Sequence, residues 1–114
     1  MMLPTHVVVG LAVAAPLIVL TPDYAAAALA GGVVGSVLPD LDMYAGHRRT
    51  LHYPTGYTLT AVPAAIAGAA LQTPLSVALT FALGGAALHC RMDRYGGGLE
   101  REPWEATSDR AVYD

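Results

Sequence analysis

The stretch YAAAALAGGVVGSVL, residues 24–38, offers only two side chains that can hydrogen-bond, Tyr24 and Ser36. Its alanines support helix, and it shows neither strict alternation nor a polar stripe at a period of 3.6 residues. A helix that is apolar all round belongs in a large core or in a bilayer. The chain has 114 residues, and a domain of that size still exposes roughly a third of the surface of its unfolded form. It has no large core to offer, so lipid is the expected solvent.

Working outward, the segments Leu3–Leu20, Tyr57–Leu71 and Leu75–His89 have the same character. The breaks between segments are Thr21-Pro22-Asp23, the polar loop from Pro39 to Thr55, and Gln72-Thr73-Pro74. Proline disfavours helix in the residue before it, which makes Leu38 and Thr73 natural boundaries. The expected fold is all-α: a four-helix, up-down transmembrane bundle over residues 1–95, followed by a short polar tail over residues 96–114. About 15 residues reach only ~22 Å, against a hydrocarbon core of ~30 Å, so the helices are expected to extend into their flanks or the bilayer to thin. The competing reading is an alanine-rich soluble bundle that buries its outer faces by oligomerising.

Charge is scarce, at 13% of residues, and the net charge is −3 with no lysine. Nothing resembles the basic stripe that nucleic-acid binding requires, so DNA and RNA are not expected partners. The single Cys90 forms no internal disulfide and belongs to no CxxC pair. It is expected to be a small buried hydrophobe. The N-terminal apolar stretch lacks the basic region of a signal peptide and is expected to be retained. All six arginines, Arg48, Arg49, Arg91, Arg94, Arg101 and Arg110, lie in the central loop or the tail. With four spans these regions share one side, and the positive-inside rule makes that side, with both termini, cytoplasmic.

The four histidines fall at the same end. His6 opens the first segment, His47 and His52 lie in the central loop, and His89 closes the fourth segment. Ionisable groups at membrane depth are costly and usually mark function. Asp93 follows His89 by four residues, so a continuing helix projects both from one face, as a metal site needs. Asp40 and Asp42 follow Pro39, and an extended Pro-Asp-Leu-Asp would point both carboxylates the same way. Taken singly, each has a blander reading: Asp40 and Asp42 as turn caps, and Asp93 as the partner of Arg91 or Arg94. Their shared location favours a site. Gly10 stands one turn from His6, Gly85 one turn from His89, and Gly31 and Gly35 share a stripe, so close backbone approach can bring the ligand-bearing ends together.

Thr5-His6, Leu38-Pro39-Asp40-Leu41-Asp42, His47-Arg48 with His52, and His89-x3-Asp93 resemble, in order and spacing over residues 1–95, the small membrane-bound predicted metal-dependent hydrolases. These are sometimes described as inner-membrane hydrolases, and they look distantly similar to zinc-dependent phospholipase C and P1 nuclease. The resemblance implies metal ligands at His6, at one or both of Asp40 and Asp42, and at His52, His89 and Asp93. His47 joins them as a candidate. The chain departs from many relatives in carrying Tyr53-Pro54 where they place a serine.

Mixed imidazole and carboxylate donors suit a divalent transition metal, with zinc first and manganese or iron next. Such a metal would lower the pKa of a bound water towards ~7, with Asp42 as the carboxylate that accepts the proton. Arg48 is the candidate for holding a phosphate or other anion. The expected function is hydrolysis of an ester or phosphoester at the cytoplasmic membrane surface, with membrane lipid as partner and a lipid or phosphoester as substrate. The alternative is a metal-binding scaffold or regulatory protein without turnover. Transport ranks last, because the far halves of the segments offer almost no polar groups.

Overall fold

The computed structural model describes residues 3–44 and 50–95, and all regular structure among them is helical. The elements are α1 (Leu3–Ala14), α2 (Leu17–Leu20), α3 (Pro22–Val37), a 3-10 segment (Leu38–Tyr44), α4 (Pro54–Leu71) and α5 (Pro74–Tyr95). Proline marks most of the boundaries. Pro22, Pro54 and Pro74 open their helices, where a missing N–H costs nothing because the first turn has no partner for it. Pro16 interrupts the first apolar segment between α1 and α2, since it has no N–H for the helical ladder. α4 stops at Gln72, whose left-handed backbone (φ 48°) returns its N–H to the Gly68 carbonyl at 3.1 Å.

Several boundaries differ from expectation: α3 opens at Pro22 and α4 at Pro54, inside stretches expected as breaks. α5 runs through Arg91 and Met92 to Tyr95, six residues past His89, because no glycine or proline interrupts it there. Pro39-Asp40-Leu41-Asp42 is not extended but wound as 3-10 helix. The extended reading of the aspartate pair is therefore corrected: at about 120° per residue, Asp40 and Asp42 diverge.

Among the described residues, three helical stretches are long and apolar enough to cross a membrane: Leu3–Leu20, Pro22–Met43 and Pro74–Arg94, of 18, 22 and 21 residues. At 1.5 Å per residue they reach about 27–33 Å, close to the hydrocarbon thickness. The lengthening of α5 and the 3-10 continuation of α3 supply what the shorter sequence segments lacked. α4 has 18 residues but is not among these stretches, its N-terminal part carrying Thr55, Gly56, Tyr57, Thr58 and Thr60, with Pro63 at its middle. Its threonines bond back to their own helix: Thr58 Oγ1 donates to the Pro54 carbonyl at 2.7 Å and Thr60 Oγ1 to that of Gly56 at 3.0 Å. Such hydroxyls ask nothing of the solvent.

The distribution of polarity is inverted relative to a soluble protein. Val19, Leu20, Leu59, Ile66 and Leu75 are more than half exposed, whereas the largest fully buried side chains are His6, His52, His89, Asp42 and Asp93.

Small residues let the backbones approach. Gly10 of α1 faces Gly32 and Ser36 of α3, Gly31 faces Ala78, and Gly35 faces Ala82. α3 and α5 thus run side by side in the same sense. α4 runs counter to α5, with Gly68 at Thr80 and Thr58 at Arg91. A Cβ on Gly35 would overlap the Ala82 carbonyl, whereas one on Gly84 would meet nothing within 4 Å. Gly35→Ala is therefore expected to cost about 1–3 kcal/mol or more by forcing α3 from α5. Gly84→Ala is expected to be neutral, or stabilising by about 0.5–1 kcal/mol. Denaturant unfolding of the two variants in detergent checks the contrast.

Candidate metal centre

α5 carries His89 and Asp93 one turn apart on one face, both only 1% exposed. The end of α3 delivers the Ser36 carbonyl, and the 3-10 segment that follows brings Asp40 to the same place. His52 arrives from the chain before α4, where Tyr53 is extended (φ −120°, ψ 82°) because Pro54 follows it.

The hydrogen bonds fix how the rings face. His89 Nδ1 lies 2.6 Å from the Ser36 carbonyl oxygen. A carbonyl only accepts, so Nδ1 carries the proton and Nε2 is left to face Asp40 Oδ1 at 3.3 Å and Asp93 Oδ2 at 3.6 Å. His52 Nδ1 donates to Asp42 Oδ2 at 3.0 Å, and the same oxygen accepts the Leu51 N–H at 3.0 Å. His52 Nε2 then faces Asp93 Oδ2 at 3.4 Å and Asp40 Oδ1 at 3.7 Å.

One donor atom from each of Asp40, His52, His89 and Asp93 lies within 4.8 Å of all the others, so the cluster can hold a metal ion. Arms of ~2.0–2.1 Å in a tetrahedron give edges of about 3.3–3.4 Å. The four imidazole–carboxylate separations, 3.3, 3.4, 3.6 and 3.7 Å, lie at or slightly above that value. Each imidazole has its other nitrogen held by an oxygen acceptor, the arrangement that orients metal-bound histidines and raises their basicity. A buried and a partly buried carboxylate converging on one point also need positive charge between them.

His6 flanks this group. Its ring stacks on His89 with centroids 3.8 Å apart and planes 18° from parallel. Its Nε2 lies 3.2 Å from Asp93 Oδ1, so the two oxygens of Asp93 face different imidazoles. The ring is 1% exposed, and its Nδ1 makes no hydrogen bond among the described residues.

Of the residues expected from sequence, the structure brings together Asp40, His52, His89 and Asp93, with His6 alongside. Asp42 stands behind His52 and holds it in place. His47 and Arg48 lie outside the described residues. Cys90 is buried as expected, its sulfur 4.0 Å from the Leu51 carbonyl oxygen. Sequence reasoning missed two backbone groups, the Ser36 carbonyl and the Leu51 N–H, whose only sequence signal is their place one turn before Asp40 and one residue before His52. No protein-family model, curated protein or solved structure matches the chain.

Burial alone would push the His52 pKa down, but its donation to the Asp42 carboxylate, the facing carboxylate of Asp93 and the charge of Asp42 outweigh it and raise the pKa above 6.5. In the metal-free protein, His52 thus contributes stability that is fully present below pH 6.5 and is lost as pH rises through its folded value. A metal requires the neutral ring, so binding has the opposite slope. Melting in detergent with chelator is expected to fall with rising pH above 6.5, and melting with zinc to rise. His52→Gln is expected to remove this contribution from both slopes. Asp42→Asn, which leaves His52 without its anionic partner, is expected to lower metal affinity about 10–100-fold. Metal titration against a competing chelator measures the loss.

Proposed function

We propose that the chain is a membrane-embedded, metal-dependent hydrolase that cleaves an ester or phosphoester at the cytoplasmic face of the cell membrane. The reading is carried by the orientation of His52 and His89: each uses Nδ1 on an oxygen acceptor and turns Nε2 toward Asp40 and Asp93. In this proposal α4 is the fourth crossing, the helices pass up and down in turn, and the arginine-bearing loop and both termini are cytoplasmic. The antiparallel packing of α4 on α5, and threonines that satisfy themselves, support that placement.

Two imidazoles and two carboxylates suit zinc, and manganese or iron would take the same donors. An ion held there supplies Lewis acidity, which lowers the pKa of a water towards ~7 and polarises the scissile group. The protein's own residues do the rest. Asp40, with its side chain 11% exposed, is the member of the cluster nearest solvent and is the group placed to pass a proton out. Asp42 acts through His52, as a positioning residue, in place of the direct proton acceptor expected from sequence. His6, with its Nε2 3.2 Å from Asp93 Oδ1, is placed to fix which oxygen of Asp93 faces the cluster. Arg48 is assigned to an anionic group of the substrate.

Protein purified without chelator is expected to carry about one transition-metal ion per chain. His89→Ala should lose the ion and Cys90→Ala should keep it. A content below about a tenth of an ion, with no uptake of zinc or manganese, rejects the metal centre. Metal-loaded protein is then screened in detergent against phosphodiesters, phospholipids and carboxyl esters. Turnover abolished by His52→Ala establishes catalysis, whereas a bound metal without turnover of any class favours the scaffold.

A further inference from the structure

α1 and α5 meet where His6 stacks on His89 and leave a space below. That space is a cavity of about 180 Å³ lined by Gly10 and Val13 of α1 and by Phe81, Gly84, Gly85 and Leu88 of α5. Gly10 stands one turn below His6 and Gly85 one turn below His89, so the cavity begins where the stacked imidazoles end. It reaches Phe81, about 12 Å along α5 from His89.

Its walls recognise hydrocarbon and nothing else. Thr80 is its one polar side chain, and the Thr80 hydroxyl proton is engaged by the carbonyls of Ala64 at 2.7 Å and Ser76 at 2.9 Å. Val13 is 54% exposed on a helical stretch apolar enough to span a membrane, so the groove is continuous with the surrounding lipid. Apolar along its length and open at the side, the groove suits a single hydrocarbon chain. A second cavity of about 200 Å³, beside Leu17, Tyr24 and Gln72, carries more polar side chains and lies at the other end of the bundle, away from the histidines and aspartates.

We propose that the α1/α5 groove is the acyl-chain subsite of the metal centre. It holds one hydrocarbon chain of a membrane amphiphile and sets the polar group of that molecule at Asp40, His52, His89 and Asp93. The substrate class is then a long-chain lipid ester or phosphoester, and water-soluble phosphodiesters are excluded. This substrate assignment rests on the hydrolase reading, whereas occupancy of the groove does not.

The test uses full-length, zinc-loaded protein in dioleoyl phosphatidylcholine vesicles doped with a phosphatidylcholine that carries a photoactivatable diazirine in its acyl chain. After irradiation, mass spectrometry locates the adducts. Label is expected to concentrate on Val13 and Leu88 over Val62 and Ile66, which are 57% and 67% exposed on the outer face of α4. Gly84→Leu places a side chain in open space and fills the groove. It should abolish the excess at Val13, leave Val62 unchanged and keep the metal. Should Gly84→Leu fail to assemble, Val13→Trp fills the same groove from α1, with loss of the excess read at Leu88. Equal label on both helices, or an excess that survives filling, overturns the proposal. Hydrolysis of the long-chain ester is followed in the same vesicles. Turnover untouched by Gly84→Leu sinks the groove and spares the hydrolase reading. A groove-dependent label excess without turnover keeps the groove and sinks the hydrolase reading.

Discussion

The structure depends on the close approach of three helix backbones. At Gly10 against Gly32, Gly35 against Ala82 and Gly85 against Gly32 and Gly35, the absence of a side chain lets peptide groups come into contact. In a bilayer no hydrophobic effect drives helices together, so packing of this kind supplies much of the association. It also sets the chemistry. His6 and His89 each stand one turn beyond such a contact, and Asp40 follows Ser36, whose carbonyl takes the His89 proton. A shift of one helix by an ångström would separate donor atoms that must share one ion, and such displacements are costly to function.

The same packing explains how a chain with so apolar an exterior tolerates two aspartates and three histidines in its interior, with a third aspartate, Asp40, partly exposed at its edge. Each ionisable group in this interior meets another of complementary character. Asp42 takes both the His52 ring and the Leu51 amide, Asp93 faces imidazoles with each oxygen, and His89 spends one nitrogen on backbone. Removing a single member strands its partner in a buried site. The network is thus sensitive to single substitutions in a way that the exposed valines and leucines are not.

Much of this was legible in the sequence, for physical reasons. Helices without a polar face, and prolines at their starts, made the all-helical reading direct, and the gathering of His6, Asp40, His52, His89 and Asp93 at one end followed from counting segments. What stayed hidden was local. The winding of Leu38–Tyr44 turns Asp42 away from Asp40, and Pro39 gave no hint of it because proline is at home in extended chain and 3-10 turns alike. The end of α5 was set too early because apolarity fades after His89 while helix propensity does not. The Ser36 carbonyl was invisible because every residue has one. α4 looked like its neighbours by length but is distinguished by threonine, glycine and proline in its first half.

Asp40 follows directly on α3, whereas His52 leads into α4 and His89 and Asp93 lie on α5. An ion among them would clip together two helical hairpins, the first ending in α3 and the second formed by α4 and α5. Docking would then precede loading, and the ion would act as a latch that closes only on a correctly docked pair. A protein so built reports its own assembly: a chain whose hairpins are misaligned is also one without a centre.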